Sequence, residues 1–163
     1  MARVNVTQEV VLTAVVDRLV AQLAINANRC YVSTQPLSTI PPGGDYFVTV
    51  SLGDGQFDAE IQEQHAVQLQ EQTEVIITVL TRMHLDRADR DIYLLTDDTR
   101  GLLTIKRLIL KALVGHDLVE GAGDTFLRRL VAVKYAEKPQ YDPEKMVGWL
   151  SIHFAVDFDW DLT

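Results

Sequence analysis

The sequence predicts an α+β fold: two layers, with a mostly antiparallel sheet packed against two main helices, in the order helix, three to five strands, helix, two strands. Three observations lead there. Apolar residues recur at helical spacing in two separated stretches, 7–27 and 97–114. Between and after them the apolar period switches to two, and short turns join successive runs, which favours antiparallel neighbours. Two amphipathic helices need one sheet face to cover, and that makes two layers. At 163 residues the chain has the length of one domain, taken as 1–163. A chain of this size buries roughly 70% of the surface its unfolded form exposes, so it needs no disulfide or metal to hold a core.

The first helix is expected over 7–27. Leu12, Val16, Leu19 and Leu23 form its apolar stripe, flanked by Val11, Val15 and Val20; Glu9, Thr13, Asp17 and Asn26 form the wet side. Asn5 or Thr7 is the candidate cap, with Gln8 three residues after Asn5 as in a capping box. A short strand is expected at 31–34, then an exposed loop at 35–45 carrying Pro36, Pro41, Pro42, Gly43 and Gly44. Tyr46, Val48, Val50 and Leu52 alternate with Phe47, Thr49 and Ser51; after Gly53-Asp54-Gly55, Phe57, Ala59 and Ile61 alternate with Asp58, Glu60 and Gln62. Two alternating runs joined by Gly-Asp-Gly predict a hairpin turning at 53–55. The glutamine-rich stretch 62–72 extends the expectation to an exposed hairpin around 53–72.

Residues 67–83 read as one long strand, or two with a bulge, and 75–80 (VIITVL) is apolar on both faces, as in a central strand. An exposed loop is expected at 84–96. In the second helix Leu102, Ile105, Ile109 and Leu113 face inward, Gly101 lies in the first turn and Gly115 is the stop. Strands at 126–137 and 147–160 close the chain around Pro139 and Pro143. The last alternates cleanly: Ile152, Phe154, Val156, Phe158 and Trp160 on one face, His153, Ala155, Asp157, Asp159 and Asp161 on the other, so one face is core and the other wet or against a partner.

Composition excludes several classes. Fifteen Lys and Arg against 23 Asp and Glu give a formal charge of −8, which argues against a general binder of nucleic acid or anionic membrane. An apolar share of 47% argues against disorder. No apolar run approaches the roughly 20 residues that cross a bilayer, and Arg3 is not followed by an unbroken apolar stretch, so no secretory leader is expected. A single cysteine, Cys30, makes neither an internal disulfide nor a thiolate zinc site. With only Arg29 beside it to activate a thiolate, it reads as buried and structural.

Motifs that carry chemistry are missing. His65, His84, His116 and His153 form no HExxH or His-x-His pattern. There is no Gly-x-Ser-x-Gly elbow and no P-loop, and Gly121-Ala122-Gly123 breaks the dinucleotide pattern and precedes a strand. No catalytic, cofactor-binding or metal residue is assigned. One constellation is weighed further: Asp157, Asp159 and Asp161 alternate on one strand face. Same-face neighbours on a strand lie nearly 7 Å apart, so one cation would need further ligands. A solvated strand end is the preferred reading, with a docking surface for a basic partner beside it. A small metal-dependent enzyme using Asp157, Asp159 and a histidine such as His153 is the alternative from another class, and a small-ligand module a third.

Charge distribution says more than any motif. No basic residue lies between Arg29 and Arg82, whereas Asp45, Asp54, Asp58, Glu60, Glu63, Glu71 and Glu74 do. Between Asp98 and Asp117 the formal charges are Arg100, Lys106, Arg107 and Lys111, and Arg100, Thr104, Arg107 and Lys111 line one helical stripe. Either these charges only keep the surface soluble, or the acidic hairpin of one copy meets the basic stripe of the next, head to tail, in a ring. The candidate interface is therefore Asp54, Asp58, Glu60, Glu63, Arg100, Arg107, Lys111, Asp157, Asp159 and Asp161.

The layout resembles the tail terminator, or tail completion, proteins of long-tailed bacteriophages. The features that carry the likeness are the helix 10–27, the hairpin 46–62 and the strand ending at 75–83. To these add Leu102-Leu103-Thr104-Ile105-Lys106-Arg107, which opens a helix ending Lys111-Ala112-Leu113-Val114-Gly115-His116-Asp117-Leu118, and the terminal Phe158-Asp159-Trp160-Asp161-Leu162. The resemblance implies a non-enzymatic virion subunit without cofactor, made in the host cytoplasm and placed at the head-proximal end of the tail. It implies a homohexameric ring that caps the tail tube and meets the head connector, with DNA passing through the lumen unbound and no membrane partner. Another head–tail joining or neck subunit is the alternative within the class.

Overall fold

A computed structural model of the chain describes residues 8–34, 46–57, 68–82, 101–114, 132–142 and 144–161; of 57, 68–70, 132–135 and 157–161 it describes the backbone. In order, these residues form α1 (Gln8–Leu23), β1 (Cys30–Val32), β2 (Tyr46–Phe57), β3 (Gln68–Arg82), α2 (Leu102–Leu113), β4 (Ala132–Ala136), β5 (Gln140–Asp142) and β6 (Val147–Asp161). The strands make one sheet ordered β1-β2-β3-β6, with β4 and β5 in succession along the outer side of β6. β1 runs parallel to β2 and every other pairing is antiparallel. Both helices contribute to one core cluster with a single sheet face, so the α+β arrangement with a sheet against helices is the one the periodicities predict.

α1 buries Val11, Leu12, Val15, Leu19 and Leu23. The stripe is turned slightly from the expected one, leaving Val16 half-buried and bringing Val11 and Val15 in. The helix stops at Leu23, short of 27, because Ala24 takes a left-handed φ of 50°; the chain then makes a single 3-10 turn, Ala27–Arg29, into β1. α2 buries Leu102, Ile105, Ile109 and Leu113 as its spacing demands, and Ala112 with them. Gly101 is its N-cap rather than part of its first turn, and Val114, with an extended ψ of 125°, ends it. Arg18 Nε of α1 donates to the Ala112 carbonyl, putting a cation on an orphan acceptor at the negative end of α2.

The Gly53-Asp54-Gly55 turn is overturned. β2 runs unbroken from Tyr46 to Phe57, and its pairing with β3 goes from Leu52↔Val75 to Gly55↔Thr73: three residues step forward against two. The extra residue makes a β-bulge, not a reversal. The antiparallel β2–β3 pair itself is a hairpin whose connection, 58–67, lies outside the described residues, as do the loops expected at 35–45 and 84–96. Of the stretch expected as exposed, Asp54, Gly55, Gln56 and Gln72 are exposed and Glu71 is buried. β5 was not foreseen; it is closed onto β6 by a turn in which Asp142 Oδ1 accepts from the Glu144 and Lys145 amides at 2.9 and 3.2 Å.

Val48, Val50, Val75, Ile77, Val79, Leu150, Ile152, Phe154 and Val156 form the sheet side of the core. The opposite face was expected to be wet or against a partner, but its middle is buried as well: Phe47, Thr49, Ser51, Thr78, Leu80, Ser151 and His153 are all enclosed. Both described helices lie on the other side, and the middle of this face carries four hydroxyls, Thr49, Ser51, Thr78 and Ser151, together with Phe47, Leu80 and His153.

Candidate functional site

Register places three hydroxyl residues in a row across the central strands, Thr49↔Thr78↔Ser151, and the next row is Ser51↔Ile76↔His153. Thr78 and Ser151 share a hydrogen bond of 3.3 Å, and Ser51 Oγ donates to the Ile76 carbonyl at 3.5 Å. Thr49 Oγ1 is buried and has no hydrogen-bond partner among the described residues. One position along β3, Glu74 Oε2 lies 3.1 Å from His153 Nδ1, with the two side chains 20% and 9% exposed. These polar residues sit in the middle of apolar strands (VTVS, IITV, LSIHF), and that interruption is the sequence signal that could have marked them.

This pairing bears on the metal-enzyme alternative. His153, Asp157 and Asp159 stand on one strand, so His153 is about 13 Å from Asp157 and about 20 Å from Asp159 along the backbone. One ion's ligands do not span that distance. Among the described residues no group of three His, Cys, Asp or Glu could hold a metal. Cys30, 1% exposed, has its thiol pushed up from 9.0 to about 12 by burial, with the charge of Asp17 adding to it. It therefore stays a thiol in the core, as its lack of an activator predicts. Burial likewise raises the Tyr46 hydroxyl, against a smaller opposing effect of Arg29.

The candidate interface residues divide into three groups. Asp58, Glu60, Glu63 and Arg100 lie outside the described residues. Asp54 is exposed at the β2 bulge, and Arg107 and Lys111 are exposed on α2. Among the described residues none of these three carries a hydrogen bond or ion pair from its side chain. Beside the two cations, on the same arc of the helix, are two large apolar residues the charge pattern had not flagged, Leu103 at 42% and Val114 at 50% exposure. Asp157, Asp159 and Asp161 fall opposite Gln72, Gln70 and Gln68 of β3. Each acid is thus paired in register with an amide rather than with a second acid, which avoids like-charge repulsion across the ladder.

No protein-family model matches the chain, and no curated protein does. Among solved structures, the chain is similar to one from the virion of a native gene transfer agent (GTA) particle, 18% identical, covering 91% of this chain and 94% of that one, at a TM-score of 0.49. A likeness of that strength assigns no role.

Proposed function

We propose that the chain is a non-enzymatic virion subunit, a tail terminator that associates with copies of itself into a ring, most simply a hexamer, capping the tail tube and meeting the head connector. One observation carries the self-associating part of this reading: α2 turns outward two cations, Arg107 and Lys111, that have no side-chain partner among the described residues and stand with exposed Leu103 and Val114. Isolated exposed apolar residues are ordinary, but cations and apolar groups on one arc of a helix are the composition of an interface rim and core side by side. The layout resemblance supplies the virion setting, the head-proximal tail position and the tube and connector as partners. An acidic chain with a net charge of −8 also suits a lumen through which DNA passes without being gripped, because carboxylates repel phosphate.

A native mass spectrum of the purified chain, at two concentrations and at low and high salt, tests this. The expected result is a hexamer, or a monomer–ring equilibrium that moves toward monomer as salt rises, since screening weakens exposed charge pairs beyond about 10 Å. Added to polymerising tail-tube protein, the chain should shorten the tubes. A compact dimer at every condition, with tube length unchanged, overturns the reading.

A further inference from the structure

The self-associating reading leaves open which surface receives the α2 stripe. We propose that Leu103, Arg107, Lys111 and Val114 of α2 dock antiparallel on Val10, Thr13, Asp17 and Ala21 of α1 in a second copy of this chain, with Glu9 at the end of the contact. This inference rests on the self-assembly reading and specifies its contact.

The two helices carry opposite charge on their outward sides. α1 exposes Glu9 and Asp17, and its single base, Arg18, is half-buried with its Nε on the Ala112 carbonyl. α2 exposes Arg107 and Lys111 and contains no acid. Among the described residues none of these four exposed side chains takes part in a hydrogen bond or ion pair. The helices share one core cluster in one chain, yet their outward charges do not meet there, so each finds its complement on the surface of another copy. Exposed apolar residues follow the same distribution: Val10 of α1 is 44% exposed, and Leu103 and Val114 of α2 are 42% and 50% exposed.

Spacing fixes the direction. On α2, Leu103, Val114, Arg107 and Lys111 lie within about 80° of arc, and on α1 so do Val10, Ala21, Asp17 and Thr13. The outer residues of the two stripes are equally far apart, Leu103 to Val114 and Val10 to Ala21, about 16 Å along either axis. Laid antiparallel, Val114 meets Val10 and Leu103 meets Ala21. Arg107, one step of four from Leu103, then falls level with Asp17, one step of four from Ala21. Lys111 falls level with Thr13, whose hydroxyl is already held by the Glu9 carbonyl at 2.8 Å. Glu9 and Asp17 stand one such step, about 6 Å, to either side of it, within reach of a lysine side chain. A parallel alignment of the same stripes sets Lys111 level with Arg18 and Arg107 level with Ala14. The antiparallel one alone sets charges of opposite sign together.

The two stripes are different surfaces, so a copy that offers one leaves its other open, and the contact passes head to tail until it closes. Two charge-reversed chains test it, one carrying Arg107→Glu and Lys111→Glu, the other Glu9→Lys and Asp17→Lys. Each alone opposes like charges at every contact and should associate roughly tenfold more weakly than the wild type. Mixed in equal amounts, they restore opposite charges at both kinds of contact and should form an alternating, even-numbered assembly in the native mass spectrum, with a midpoint close to that of the wild type. Far-ultraviolet circular dichroism of each chain checks that it is folded. A cation at Glu9 opposes the dipole in the first turn of α1, so Asp17→Lys alone serves as the fold-neutral arm: it should weaken association by itself and regain it when mixed with Arg107→Glu. Unchanged assembly of either doubly reversed chain, or loss of assembly in both without recovery on mixing, overturns the contact while leaving the self-assembly reading standing. So does a further chain, with Asp58, Glu60 and Glu63 changed to Lys, if it alone rescues the α2-reversed chain. A wild type no larger than a dimer at every concentration and salt overturns the self-assembly reading and this contact together.

Discussion

Thr49 sits fully enclosed between Phe47 and Ser51 on the sheet face away from the described helices, its hydroxyl without a partner among the described residues while Thr78 and Ser151 in the same row bond each other. An orphaned buried hydroxyl carries a desolvation cost of about 1–3 kcal/mol. Thr49→Val removes the hydroxyl at almost constant volume and keeps β-branching, so it should stabilise the chain by about 1 kcal/mol; a lower urea midpoint would show that the hydroxyl is satisfied in solution. Cys30 gives a second residue-scale expectation. Its folded thiol titrates at about 12 against an ordinary 9.0, so the folded state favours the protonated form. That preference is fully present below pH 9.0 and is lost progressively as pH rises toward about 12. Within the window stability should fall by about 1.4 kcal/mol per pH unit, and the fall should be shallower in Cys30→Ala. Native-state thiol labelling at neutral pH should be slow until urea exposes the group.

The β2 bulge shows how an element is decided by its neighbour. Before it, even-numbered residues (Tyr46, Val48, Val50) face the helices; after it, Gly55 pairs with Thr73 and the odd positions take that face. An alternation that changes parity across Gly-Asp-Gly is what a tight turn and a bulge both produce, and the local sequence does not separate them. Pairing with β3 does, because Leu52 to Phe57 continues along Val75 to Glu71 in the same direction. Gly55 has a role in this: a Cβ there would collide with Glu71 Oε1, and Glu71 is buried, bonded to Thr73 Oγ1 at 2.8 Å and to Gln8 Nε2 at 3.3 Å. Gly55→Ala should therefore destabilise by about 1–3 kcal/mol through displacement of that carboxylate. In a Glu71→Ala background the same change should cost much less. A double-mutant cycle in urea measures the coupling, and additive costs would place the strain elsewhere.

At the scale of the molecule, the decisive property is how charge is laid on the fold. The net −8 repels other copies at long range, so any self-association depends on a local patch that outweighs it. α2 supplies such a patch because its inward face is fully apolar, which leaves every polar residue of the helix on the outside. The native mass spectrum proposed above belongs to this scale. Its salt dependence separates association through Arg107 and Lys111, which screening weakens, from association through apolar contact alone, which it does not.

The sequence by itself determined the two helices, the long central strands and the class of the fold, because burial on one face imposes a period that survives without knowledge of the partner. Leu102, Ile105, Ile109 and Leu113, or Ile152, Phe154 and Val156, can be assigned to the core from spacing alone. It also marked Arg107, Lys111 and the alternating aspartates, since charge segregation is a one-dimensional property. Tertiary structure alone decided the bulge, the parallel β1, the additional β5, the burial of the Thr49–Thr78–Ser151 row with His153, and the meeting of His153 with Glu74. Each of these depends on which residues meet across strands far apart in the chain, and a hydroxyl or a glycine carries no local sign of the neighbour it will meet.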